Sequence, residues 1–158
     1  MFDTILWAND GSRRADEALS PVRELCERYR SALRIVHVAS SGQSAQERAA
    51  TERVIDKLKA QTTAMRRQGL NASLHVIRGA TGSPAPHLLR TAHDITPDLM
   101  IVSHREGAPR AGGLSDSVAH QLLASGACPV LVVRGSARAS ARARAGGGAA
   151  AGPSFVPA

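Results

Sequence analysis

Five short runs of branched apolar residues recur along this chain, and the segments between them carry apolar residues at helical spacing. The runs are Thr4–Ala8 (TILWA), Leu33–Val38 (LRIVHV), Ala72–Ile77 (ASLHVI), Leu99–Val102 (LMIV) and Val130–Val133 (VLVV). Strand alternating with helix predicts a parallel sheet covered on both faces. Strands that are apolar almost throughout fit burial from both sides better than strict alternation would. Right-handed crossovers then give a small open sheet with a switch point, and ligands of such sheets bind at the carboxyl ends of the strands. The expected fold is therefore a single α/β domain of three layers, with the loops after the first and fourth strands as the places for a site.

The helical segments have their own punctuation. In the first, Ala18, Leu19, Val22, Leu25, Cys26 and Tyr29 share a face, Ser12 is placed as an N-cap, and Pro21 is placed to kink or delay the helix. Val54, Leu58 and Met65 form the stripe of the second, and Leu88, Leu89, Ala92 and Ile95 that of the third. The fourth runs through Val118, Leu122 and Leu123 and stops near Gly126, a good C-cap residue. After Arg134 the pattern ends in Ser-Ala-Arg repeats, a Gly-Gly-Gly run and two prolines, which supply no apolar face. Residues 1–135 are expected to form the folded domain and 136–158 a disordered tail rich in Ala, Gly and Arg.

Composition removes several classes of function. The formal charge is +7, but Arg138, Arg142 and Arg144 sit in an acid-free tail, and without them the body carries +4. A surplus of that size among acids is a solvated surface, so no specific nucleic-acid partner is expected, although the tail can make weak, salt-sensitive contacts. Aromatic residues make up only 3%, too few for a platform on which single-stranded bases stack. The opening MFDTILWAND has an acid at Asp3 and a short apolar run, unlike a signal peptide, and no stretch is long enough to span a bilayer. Cys26 and Cys128 lie far apart inside apolar patterns and read as reduced thiols used as small hydrophobes, which agrees with a cytoplasmic protein.

Other candidate chemistry is thin. His37 and His75 lie in strand patterns and read as packed, hydrogen-bonded core histidines, while His87, His93 and His120 share no metal-binding spacing. Ser117 and His120 are one helical turn apart, but no nucleophile elbow frames the serine and no acid is placed to orient the histidine. No Gly-Lys-Ser/Thr occurs. Gly79-Ala80-Thr81-Gly82 lacks the third glycine of a dinucleotide fingerprint, and Trp7 reads as core. No catalytic pair emerges, so the chain is not expected to be an enzyme.

Four stretches resemble the universal stress protein family: Ile5–Ser12 (ILWANDGS), Leu33–Val38, Gly82-Ser83-Pro84 through Asp98-Leu99, and Cys128–Val133 (CPVLVV). The resemblance covers residues 1–134. It implies a five-stranded parallel sheet in the order 3-2-1-4-5, of the adenine nucleotide alpha-hydrolase type. It also implies a stress-associated homodimer pairing through the last strand. Pairing there has a physical motive, because Val130, Leu131, Val132 and Val133 would form a flat apolar edge that needs a cover.

The family divides into members that bind ATP and members that do not. Binders carry Gly-x2-Gly-x9-Gly-Ser/Thr after the fourth strand, where bare backbone N–H groups approach phosphate oxygens and a helix N-terminus favours the anion. Counted from Asp98-Leu99, the three glycine positions hold Ser103, Glu106 and Asp116, while Ser117 and Val118 keep the positions that follow. Two carboxylates where phosphate should sit repel it, each by roughly 1 kcal/mol or more at a surface-like dielectric. Asp116 is itself a good helix cap that can take the phosphate's place. The expectation is a degenerate motif, no bound cofactor, and a regulatory or interaction role with protein partners not specified by the sequence. The alternative is a sensor of ATP, AMP or cyclic AMP. By the resemblance Asp10 would touch the nucleoside and Val38 would line the adenine pocket, with Ala8, Asn9, Ser103, Arg105, Ser117 and Val118 completing the site. Asp10 also reads as a plain turn residue beside Gly11.

Overall fold

A computed structural model describes residues 1–42, 44–103 and 118–133. Its elements follow in the order β1 (Thr4–Ala8), α1 (Arg13–Glu17), α2 (Leu19–Tyr29), β2 (Ala32–Ser40), α3 (Ala45–Arg67), β3 (Ala72–Ala80), α4 (Ala85–Ile95), β4 (Leu99–Ser103), α5 (Val118–Ser125) and β5 (Val130–Val133). All strand pairings are parallel and the sheet order is β3-β2-β1-β4-β5, as the resemblance implied. The expectation of a disordered tail falls on residues outside those described.

Side-chain alternation along each strand feeds two cores. In register, Leu33, Ile5 and Leu99 form one rung and Ile35, Trp7 and Ile101 the next, all on the same face. These residues pack with Ala18, Val22 and Cys26 and with Met65 of α3. On the opposite face Leu6, Val36, Met100 and Val102 meet Ala85, Leu88 and Ala92 of α4 and Ala119 and Leu122 of α5. Ile5, Leu6 and Trp7 are fully buried, so β1 is enclosed from both sides.

Proline does more than kink the first helical segment. Pro21 has no N–H for the carbonyl of Glu17, and its ring would crowd that oxygen. The helix accordingly stops at Glu17, turns at Ala18 and restarts at Leu19, giving α1 and α2 in place of one helix. Ser12 caps α1 as expected, its Oγ accepting from the Ala15 N–H at 3.2 Å. Gly126 follows α5 with φ of +63°, the left-handed turn expected there.

Several burial expectations need correction. The buried stripe of α3 is Ile55, Leu58, Thr62 and Met65, one position off the stripe through Val54. Leu89 and Ile95 are only partly buried, and Leu123 is 53% exposed. His75 is exposed because β3 is an edge strand, not a central one.

Cys26 is buried among the first core, where desolvation, and secondarily the charge of Glu27, push its thiol from 9.0 up to about 11. The native state thus holds a proton that the unfolded chain releases above pH 9. That contribution is complete below pH 9 and is lost as pH climbs towards 11. Urea unfolding across this window should show wild-type stability falling more steeply than that of Cys26→Ala. Parallel declines would contradict the assignment.

Candidate functional site

Beyond the Ile35–Trp7–Ile101 rung, the next position on the same sheet face is polar in all three strands: His37, Asn9 and Ser103. This polar rung marks where the apolar layer ends and the crevice at the carboxyl edge begins. It also sits at the switch point, since the chain leaves β1 towards β2 on one side and returns to β4 on the other.

Each rung member is held differently. His37 is 5% exposed, and its Nδ1 lies 2.9 Å from the backbone oxygen of Asn9. It is the packed, hydrogen-bonded histidine expected, but it also borders a cavity. Asn9 is 2% exposed; its Oδ1 accepts from the Gly11 N–H at 2.8 Å, while its Nδ2 has no protein partner. Ser103 Oγ is buried and likewise has no protein partner. Asp10 Oδ1 accepts from the Ser12 N–H at 2.9 Å, a turn stabilised by an aspartate side chain, and the residue is exposed.

A cavity of about 240 Å³ opens beside this turn, between the end of β2 and the first half of α3. Asp10, His37, Val38, Ala39 and Ser40 line it from the sheet side, and Ala50, Thr51 and Val54 from the helix. Of the residues implied by the resemblance, Asp10 and Val38 therefore meet in one cavity. Ala8, Asn9, Ser103 and Val118 are not among its lining residues. Arg105, Glu106, Asp116 and Ser117 lie outside the described residues, so the glycine-replaced loop enters only through its sequence.

Sequence reasoning missed His37 as a cavity residue and missed the wall from α3 altogether. Ala50 and Thr51 each stand one turn before Val54, a spacing that puts them on one side of the helix. Val54 was therefore misread as core because it belongs to the helix edge that turns to the crevice.

The exit of β1 is fastened to α3 by three side chains. Lys57 Nζ donates to Gly11 O at 3.2 Å and pairs with Asp16 Oδ2 at 2.5 Å, and Gln61 Nε2 donates to Asp16 Oδ1 at 3.0 Å. Val54 packs directly over Gly11, where a Cβ would overlap its Cγ1. Among the described residues, no group of three His, Cys, Asp or Glu could hold a metal ion, and no helix is long and apolar enough to cross a membrane.

Ligands of open parallel α/β sheets bind at the carboxyl ends of the strands, and the cavity here lies at that edge, on the β2 side of β1. The chain belongs to the Universal stress protein family, whose family model matches residues 1–134. Solved structures agree. A universal stress protein from Archaeoglobus fulgidus aligns with TM-score 0.67 at 20% identity over 84% of this chain, which spans only 44% of that protein's length. A universal stress protein family member from Burkholderia pseudomallei aligns with TM-score 0.60 at 27% identity, covering 83% of this chain and 95% of its own. A universal stress protein in complex with cAMP aligns with TM-score 0.60 at 21% identity, covering 85% and 98%. No curated protein matches the chain.

Gly11 combines φ of +77° with the Val54 contact, so Gly11→Ala should lower stability by about 1–3 kcal/mol. Pairing it with Val54→Ala should remove the clash and leave the backbone strain, about 1 kcal/mol. Denaturant midpoints of the two single variants and the double would read this; strict additivity would sink the contact argument.

Proposed function

We propose that this universal stress protein is a non-catalytic regulatory or interaction protein of the cytoplasm with a cleft closed to triphosphates. One observation carries the reading. Where ATP-binding relatives present three bare glycines, this chain has Ser103, Glu106 and Asp116, two of them carboxylates. The cavity beside Asp10, at about 240 Å³, lies below the roughly 300–1,000 Å³ of ordinary ligand pockets, which agrees with a small occupant. Residues 1–135 act as the working domain, with the tail as an appendage.

A homodimer through β5 belongs to the same proposal. That strand is a sheet edge, its Val130, Val132 and Val133 are half-buried, and Leu131 is 38% exposed. A second copy would cover what is otherwise an open apolar ladder.

One observation favours a second reading, an adenine-nucleotide sensor. Asp10 and Val38 share a cavity, and a protein of the same fold carries cAMP. Such a site would take a nucleoside or monophosphate while Glu106 and Asp116 turn away longer phosphate chains.

Heat extraction of the purified protein should release no ATP, and calorimetric titration with millimolar ATP should give no heat. Co-purifying ATP, or measurable ATP hydrolysis, would overturn the first reading. Binding of AMP or cyclic AMP that Ser117→Glu abolishes would establish the second.

A further inference from the structure

The sheet edge opposite the cavity, where the strands begin, gathers arginines. Arg28 lies in the last turn of α2, Arg66 and Arg67 lie in the last turn of α3, and Arg30 caps α2. The two helix ends are neighbours because the strands that follow them pair there. Leu33 stands against Ala72, and its N–H donates to Asn71 O at 2.8 Å. All four arginines are exposed. Arg66 is anchored through Nε, which donates to Ala72 O at 2.5 Å. Among the described residues, Arg28, Arg30 and Arg67 form no ion pair or side-chain hydrogen bond. Acids nearby are already engaged: Glu27 pairs with Arg23, Asp98 is turned onto the backbone N–H groups of Asp3 and Thr4, and Asp3 lies 4.0 Å from the Met1 amino group.

Basic residues at helix C-termini ordinarily serve the helix dipole. Arg30 goes further, since it holds φ of +55°, a left-handed cap position where glycine is the usual and least strained residue. Strain accepted at an exposed cation points to a use outside the fold. Apolar surface lies beside it. Met1 is 92% exposed, and Phe2 packs edge-on against Tyr29 with ring centres 5.1 Å apart. Ser31 Oγ donates to Phe2 O and the Ala32 N–H to Asp3 O at 2.7 Å, which hold residues 2 and 3 against the α2–β2 junction. We infer that this edge docks on an anionic lipid surface, the arginines meeting headgroup phosphates and Met1 entering between the headgroups. Guanidinium forks match phosphate, opposite charge draws them to such a surface, and an exposed apolar side chain gains from the acyl boundary. A nucleic-acid backbone would satisfy the arginines but offer the methionine no apolar phase. Docked in this way, the molecule keeps its cavity edge turned away from the lipid.

Co-sedimentation of the full chain with phosphatidylcholine vesicles, with and without phosphatidylserine and at low and high salt, tests the inference. The chain should sediment with the anionic vesicles only, and high salt should release it. Arg30→Gly and Arg67→Gln should each weaken binding about fivefold, whereas Arg13→Gln and Arg53→Gln, away from this edge, should leave it unchanged. Arg30→Gly should at the same time raise the urea midpoint, because glycine relieves the strain. A lower midpoint would show that Arg30 is kept for folding and would overturn the reading. So would equal binding to neutral vesicles, no binding to anionic ones at low salt, or equal losses from the Arg13 and Arg53 variants. Tighter binding of duplex DNA through the same arginines would assign the edge to nucleic acid instead.

Discussion

β1 is the constraint on which the rest of the molecule depends. It is hydrogen-bonded to β2 on one side and β4 on the other, and its central residues are sealed from both faces. A strand so enclosed can be neither shifted nor twisted without unpacking two cores at once, and a slip of one residue would exchange them. Its entry is pinned as well. The Asp98 carboxylate accepts from the backbone N–H groups of Thr4 at 2.9 Å and Asp3 at 2.8 Å, and these bonds, Thr4 first, hold its pKa below 3.8. The Asn9-Asp10-Gly11 exit therefore emerges at a fixed point, and the crevice forms around it.

The fold was readable because buried parallel strands must be apolar nearly throughout, and this chain writes them so. β1 and β5 have the bounds the apolar runs suggested, while β2 and β3 extend further, to Ser40 and Ala80. Those extensions carry Ser40, Arg78 and Gly79, residues with no apolar signal. Ser40 stays in the ladder opposite Ala80, while Arg78 and Gly79 fall at the register shift between Val38 and Ser40, where Arg78 gains an ion pair with Glu52 of α3 at 2.5 Å. Helix faces were less legible. A stripe one position off, Val54 for Ile55, differs by 100° of rotation, and only the packed sheet decides which side is inward.

The site was legible in part, and for a physical reason. Asp10 and Val38 sit at strand ends, where an alignment of short motifs can place them. His37 could be seen only once register put it beside Asn9 and Ser103, because a single histidine in an apolar run gives no sign of the cavity it borders. The α3 wall depends on how a helix crosses a strand that precedes it in the chain, which no local spacing encodes. The class of the domain follows from topology alone; its chemistry depends on side chains that topology merely brings together.

The short helix α1 has a consequence for the order in which this molecule becomes structured. Five residues cannot form a stable helical nucleus, and Pro21 denies them continuation into α2. Their order is borrowed from Lys57 and Gln61 through Asp16. The exit of the most rigid strand is thus clamped by the most dependent helix, and this corner should open on its own, ahead of global unfolding, with faster amide exchange over residues 9–18 than in the neighbouring β2 ladder.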